Sequence, residues 1–140
     1  MAVLNEIATK LASLGVGTLG TTIHMGMMPE TPDVCCAVYE YGGLAPGYGF
    51  GTAGIFVETP AIQVVCRGAK DDYATPRAAA QTAYIGLAAV EVTTLSSTGG
   101  GTSALYYTIH PQQAPFMMQR DANGRVYIAF NCLCEKELST

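Results

Sequence analysis

Tryptophan is absent from this 140-residue chain, histidine occurs twice, and only 13% of the residues are charged, against a usual share of roughly 25%. Basic residues number seven against eleven acidic ones, for a net charge of −4. That shortage excludes the basic stripe a nucleic-acid partner requires, and equally a polybasic membrane anchor. Long apolar runs are lacking too. The uncharged stretch from Leu11 to Pro29 is broken by Gly15, Gly17, Gly20 and Gly26, unlike a membrane span of about 20 mostly apolar residues. Met1 to Leu14 carries Glu6 and Lys10 inside its apolar pattern, which does not read as a secretory leader. A soluble chain made in a cytoplasm is expected.

What is present is apolar. Hydrophobic residues reach 49%, which excludes global disorder, and the length suits one domain over residues 1–140 with one core. So few charges leave much of a monomer's surface to Gly, Thr, Ser and apolar atoms. Other protein is therefore expected to cover part of it. Tyr39, Tyr41, Tyr106 and Tyr107 suit either interface anchors or ordinary strand packing. Met25, Met27, Met28, Met117 and Met118 suit either an adaptable contact surface or the edge of the core.

Five cysteines, an odd number without a secretory setting, do not read as a disulfide framework. Adjacent Cys35 and Cys36 point to opposite faces of a strand, whereas Cys132 and Cys134 share one. Neither pair has the spacing of a zinc knuckle. Buried, reduced, metal-free thiols are expected, at Cys66 and at least one of Cys132 and Cys134 in particular. Gly49 to Gly54 matches G-x-G-x-x-G, but strand-like Ile55 to Thr59 and then Pro60 follow, where a dinucleotide needs a helix N-terminus. His24 and His110 fall in separate strands, no nucleophile signature surrounds a cysteine, and no carboxylate pair has acid–base spacing. No cofactor, no metal and no enzymatic activity are expected; a small Cys/His enzyme and a monomeric binding module are the outlying alternatives.

Val3, Leu4, Ile7, Leu11 and Leu14 form one helical stripe, stopped by Gly15 and Gly17. Thr21–Met27, Cys35–Tyr41, Ala61–Arg67, Ala104–His110 and Val126–Cys134 read as strands. An alanine-rich second helix runs through Ala78 to about Val90. It starts either with Thr75 and Pro76 at its N-cap and first position, or near Asp71 with Pro76 in its first turn. Asp71 and Asp72 favour its positive end. Gly42 to Thr59, with six glycines and no charge before Glu58, reads as a long loop that is mobile until it meets a neighbour. Asn123-Gly124 marks a turn before the last strand. The order α-β-β-β-α-β-β predicts an α+β fold, a largely antiparallel or mixed sheet of about five strands with two flanking helices.

Several segments in order carry a resemblance. They are Leu14 to Gly20, Met27-Met28-Pro29-Glu30-Thr31-Pro32-Asp33, Ala37 to Gly43, Pro60 to Val64 with Arg67, and Gln119-Arg120-Asp121-Ala122-Asn123-Gly124-Arg125 followed by Asn131. Together, over nearly the whole chain, they resemble the small minor capsid proteins of long-tailed bacteriophages, whose members are tail terminators or tail-completion proteins. The resemblance implies a structural virion protein that forms a ring, usually a hexamer, at the head-proximal end of the tail tube. Such a ring stops tube growth and offers a docking surface to the head connector.

The implied partners are other copies of the chain, the tail tube protein and the head-side connector or stopper, with no nucleic-acid sequence recognition and no membrane. The implied location is the virion neck, after assembly in the host bacterial cytoplasm. A head-completion or stopper protein and a tail-tube subunit are the neighbouring readings. The Gly-rich insertion at Gly47 to Gly54 departs from the family pattern, and the family carries no catalytic residues. Candidate contact residues toward neighbouring subunits or the tail are Gly42, Gly43, Tyr48, Phe50, Glu58, Arg67, Arg120 and Arg125. The arginines, at a strand end or beside the Asn-Gly turn, are expected either to set register across an interface or to lie solvated in weak pairs.

Overall fold

The computed structural model describes residues 2–48, 55–98 and 103–138. Helix α1 (Ala2–Ser13) follows the predicted stripe: Val3, Leu4, Ile7 and Leu11 are buried. It ends where Gly15 takes φ +82°, a left-handed conformation that glycine adopts without a Cβ clash. Strands β1 (Ile23–Met25), β2 (Cys35–Tyr48) and β3 (Ile55–Lys70) precede α2 (Ala74–Ala88). After it come β4 (Glu91–Ser96), β5 (Ser103–Pro111), β6 (Phe116–Arg120) and β7 (Arg125–Glu137). Helix α2 starts between the two expected positions, at Ala74 after Tyr73 at its N-cap, with Pro76 in its first turn. The Asp72 carboxylate accepts the Thr75 backbone N–H at 3.1 Å, and hydrogen bonding from the Thr75 side chain first, then from this N–H, lowers the carboxyl's pKa.

The strands form one sheet in the order β1-β2-β3-β7-β5-β4, with β6 also paired to β7. Only β1 and β2 run parallel; the other pairs are antiparallel. The fold is therefore α+β with a mixed sheet. Helix α1 touches β1 and β2 at one edge and β4 and β5 at the other, while α2 lies over β3, β7 and β5. A sheet whose two edges meet the same helix must curl around it. Alternation along β2, β3 and β7 sends Cys36, Val38, Ile62, Val64, Cys66, Val126, Ile128, Phe130, Cys132 and Cys134 into the core with the helices. Tyr39, Gln63, Val65, Tyr127 and Asn131, one residue out of phase, belong to the opposite face. Tyr84 of α2 meets Phe130 edge-on at 5.7 Å between ring centroids.

Two strands exceed the sequence expectation. In β4 only Leu95 is buried, and β6 is exposed along its whole length. Both exist through hydrogen bonding to a neighbour rather than through a buried stripe, so neither leaves the two-residue period that identifies a strand in sequence.

The segment 42–59 also departs from expectation. Residues 42–48 and 55–59 belong to β2 and β3, and 49–54, including the G-x-G-x-x-G match and Phe50, lie outside the described residues. Two of its odd features are bulges. Between the pairs Tyr41↔Ala61 and Leu44↔Thr59, Gly42 and Gly43 oppose Pro60 alone. Between Leu44↔Thr59 and Gly47↔Val57, Ala45 and Pro46 oppose Glu58 alone. Bulges accommodate an extra residue, and they are where a strand tolerates a proline that cannot donate to the ladder. Of the glycines that suggested a loop, Gly42 and Gly43 form the first of these bulges.

Candidate functional site

Three of the segments that carried the family resemblance, the turn Pro29–Asp33, Arg67 and the turn before Arg125, converge at one end of the sheet. Arg67 sits on β3 and Arg125 at the start of β7; both are buried, at 2% and 5% exposure. Arg67 donates through Nε to the Asp33 carbonyl at 2.8 Å, and through one terminal nitrogen to the carbonyls of Pro29 and Pro32, each at 2.7 Å, and of Glu30 at 3.4 Å. Its guanidinium also lies 5.9 Å from the centroid of the Tyr127 ring, within cation–π range. Arg125 donates to Asp121 Oδ2 at 2.8 Å, to the Glu30 carbonyl at 2.8 Å and carboxylate at 2.9 Å, and to Asp33 Oδ1 at 3.3 Å.

The exposure expected for these two arginines is therefore corrected. Both are consumed within the chain, holding the turn Pro29–Asp33, which contains a cis Thr31–Pro32 bond. Their burial is tolerable because every guanidinium contact is a carbonyl, a carboxylate or an aromatic face.

Asp121 organises the other side of this cluster. It accepts the backbone N–H groups of Asn123 and Arg125 at 2.9 and 3.0 Å, the Arg125 side chain, and the Tyr127 hydroxyl at 3.0 Å. Burial pushes its carboxyl up, but the Arg125 and Tyr127 hydrogen bonds outweigh that and hold it at about 2. Arg120 remains half-exposed and pairs with Asp71. Asp71 occupies φ 59° and receives the chain at Gly124, whose carbonyl accepts its N–H at 3.0 Å. Turns 29–33, 70–72 and 121–125 are thus tied into one block.

At the opposite end, β2 and β3 continue as a hairpin arm. Gly42, Gly43 and Leu44 are exposed on it. Tyr48 is the last described residue of β2. Glu58 pairs with Lys136 at 3.4 Å. The Lys136 side chain is fully buried; it donates to the Glu137 carbonyl at 3.1 Å and lies 5.7 Å from the centroid of the Tyr106 ring. The Tyr106 hydroxyl donates to Glu6 Oε1 of α1 at 2.8 Å, and burial first, then Glu6, pushes that phenol well above its usual range. This polar chain from the arm through the sheet to α1 joins Glu58, Lys136, Tyr106 and Glu6, residues too far apart in sequence for any spacing to link them.

Part of the remaining surface is apolar. Phe116, Met117, Met118 and Met27 are exposed, whereas Met25 packs at the edge of the core. On the face of the sheet away from the helices, Tyr39, Gln63, Val65, Met118, Gln119 and Tyr127 line a shallow depression.

All five cysteines are buried and free. Burial raises the pKa values of Cys132 and of Cys134, the latter to about 12. Among the described residues, no group of three or more His, Cys, Asp and Glu side chains could hold a metal ion. None of the described helices is long and apolar enough to cross a membrane.

The fold is thus an α+β sheet with a clamped turn, a hairpin arm and exposed apolar side chains. The family model for bacteriophage tail terminator protein matches residues 10–138, and the chain belongs to that family, which is one of structural virion proteins. A chain from the virion of a native gene transfer agent particle shares the fold, with a TM-score of 0.61 and 14% identity over 98% of this chain and 96% of that one. No curated protein sequence matches significantly.

Proposed function

We propose that this chain forms a homo-hexameric ring that caps the head-proximal end of a phage tail tube, stops its growth and provides the docking surface for the head-side connector. The family match over residues 10–138 carries this reading. The surface agrees with it: a chain with 13% charged residues that exposes Phe116, Met117, Met118, Met27 and Leu44 suits burial by neighbours. A heterologous contact repeated around an axis closes such a subunit into a ring. We assign the contacts to the arm, with Gly42, Gly43, Tyr48, Phe50 and Glu58, and to exposed Arg120. Arg67 and Arg125 act indirectly, by fixing the shape of the turn Pro29–Asp33.

The ring is located in the virion neck and assembles in the bacterial cytoplasm. Native mass spectrometry, alone and with tail tubes, is expected to show a species of about 88 kDa, six copies of the 14.7 kDa chain. Deleting the gene is expected to give tails of uncontrolled length that do not join heads. Normal tails beside unjoined heads would instead assign the chain to the head side of the neck.

A further inference from the structure

We propose that Cys36 and Cys66 are a covalent modification site, at which a peroxide-class oxidant makes an intrachain disulfide that staples β2 to β3 next to Arg67, at the end of the sheet away from the hairpin arm. The two residues are direct partners in the antiparallel register, and both side chains enter the helix-covered core. Their sulfurs lie 2.8 Å apart, with the Cys36 thiol donating to Cys66 Sγ. Directly opposed residues in an antiparallel pair have Cα atoms about 4.5 or 5.5 Å apart, and both separations fall in the range of roughly 4.4–6.8 Å that a disulfide bridges. The bond therefore needs rotation of side chains and no shift of the strands.

The other thiols are poorly placed to compete. Cys35 points to the opposite face, Cys132 opposes Ile62 and Pro111, and Cys134 opposes Ile109. The pairing is therefore selective by register.

The step balances with one peroxide. The Cys36 sulfur, the less buried of the two, attacks a peroxide oxygen; the O–O bond breaks, and the departing hydroxide takes the thiol proton as water. This leaves a sulfenic acid on Cys36. The Cys66 sulfur then attacks the Cys36 sulfur, the S–S bond forms, the S–O bond breaks, and hydroxide leaves with the Cys66 proton as a second water. Two thiols are oxidised and one peroxide is reduced. The neighbouring Cys36 sulfur and burial hold the Cys66 thiol protonated, so the reaction is slow and requires sustained oxidant. It is therefore silent in a thiol-reducing cell and available in the oxidising surroundings of a released particle. The crosslink encloses residues 37–65, the facing halves of β2 and β3 together with the arm beyond them. The inference rests on the register and the thiol contact, independently of the ring.

The test uses the full chain purified in reductant, exposed to hydrogen peroxide, quenched with catalase, then unfolded in an alkylating reagent. Alkylated thiols are expected to fall from five to three, the chain to become two hydrogens lighter, and peptide mapping to join Cys36 to Cys66. The melting temperature is expected to rise by about 5–10 °C. Cys132→Ala is expected to retain the crosslink and Cys66→Ser to abolish it; if Cys66→Ser does not fold, the wild-type peptide map decides alone. Five alkylated thiols after prolonged oxidation, sulfinic acid on Cys36 without a crosslink, or disulfides between other cysteines would each overturn the proposal.

Discussion

Arg67 of β3 and Arg125 of β7 donate to the same atom, the backbone carbonyl oxygen of Glu30. An exposed turn is thereby suspended from two buried cations, and the two halves of the suspension differ chemically. The hydrogen-bond acceptors of Arg67 are four carbonyls, which do not titrate. Those of Arg125 are mainly the carboxylates of Asp121, Glu30 and Asp33, which do.

Removing the first half is costly at any pH. Arg67→Ala leaves the carbonyls of Pro29, Pro32 and Asp33 without their donor and is expected to destabilise the fold by about 3 kcal/mol. Arg67→Lys keeps the charge but replaces a planar fork with a point donor, so it is expected to recover only part of the loss. Urea unfolding of the three proteins measures this, and equal stability of Arg67→Ala and wild type would show that the clamp contributes nothing.

The second half responds to acid. Asp121 is held at about 2 in the folded chain against an ordinary value of 3.8, because its ionised form accepts the Arg125 and Tyr127 hydrogen bonds. Its stabilising contribution is complete above about pH 4 and is lost as pH falls through about 2. Glu30 and Asp33 are largely exposed, so solvent screens their pairs with Arg125. Melting temperature against pH is expected to fall less steeply between pH 4 and 2 in Asp121→Asn than in wild type, from a lower starting value. Parallel curves for the two proteins would contradict this assignment.

The arm carries a paired prediction at adjacent glycines. A Cβ on Gly43 would sit 1.9 Å from the Thr59 carbonyl oxygen, whereas one on Gly42 meets nothing within 4 Å. Gly43→Ala must push the β3 backbone away and is expected to cost about 1–3 kcal/mol. Gly42→Ala is expected to be neutral or to stabilise by up to about 1 kcal/mol through the unfolded chain. Thermal melts of both variants check the bulge geometry, and similar values for the two would refute it.

Much of the architecture was legible along the chain because its signals are local. The 3.6-residue stripe of Val3, Leu4, Ile7 and Leu11 and the alternation of Val126, Ile128 and Phe130 identify elements whatever they pack against. The helix that a phosphate-binding loop requires is missing from the sequence after Gly54, and β3 begins there instead. Glycine was the ambiguous signal. Its freedom suits a mobile loop and a bulged strand equally, and the register of β3 against β2 chose the strand.

By itself, the sequence determined the helix stripes, the principal strands, the burial of the thiols and the ordered segments by which the chain is placed in its family. Only the tertiary structure decided that Arg67 and Arg125 are buried, that Cys36 meets Cys66, and that Phe116 to Arg120 form a strand. The physical reason lies in the partners. Arg67 is satisfied by backbone carbonyls, which every residue possesses and no sequence pattern advertises. Which carbonyls face a buried guanidinium depends on how a turn more than thirty residues upstream lies across the sheet, and that is a property of the folded chain.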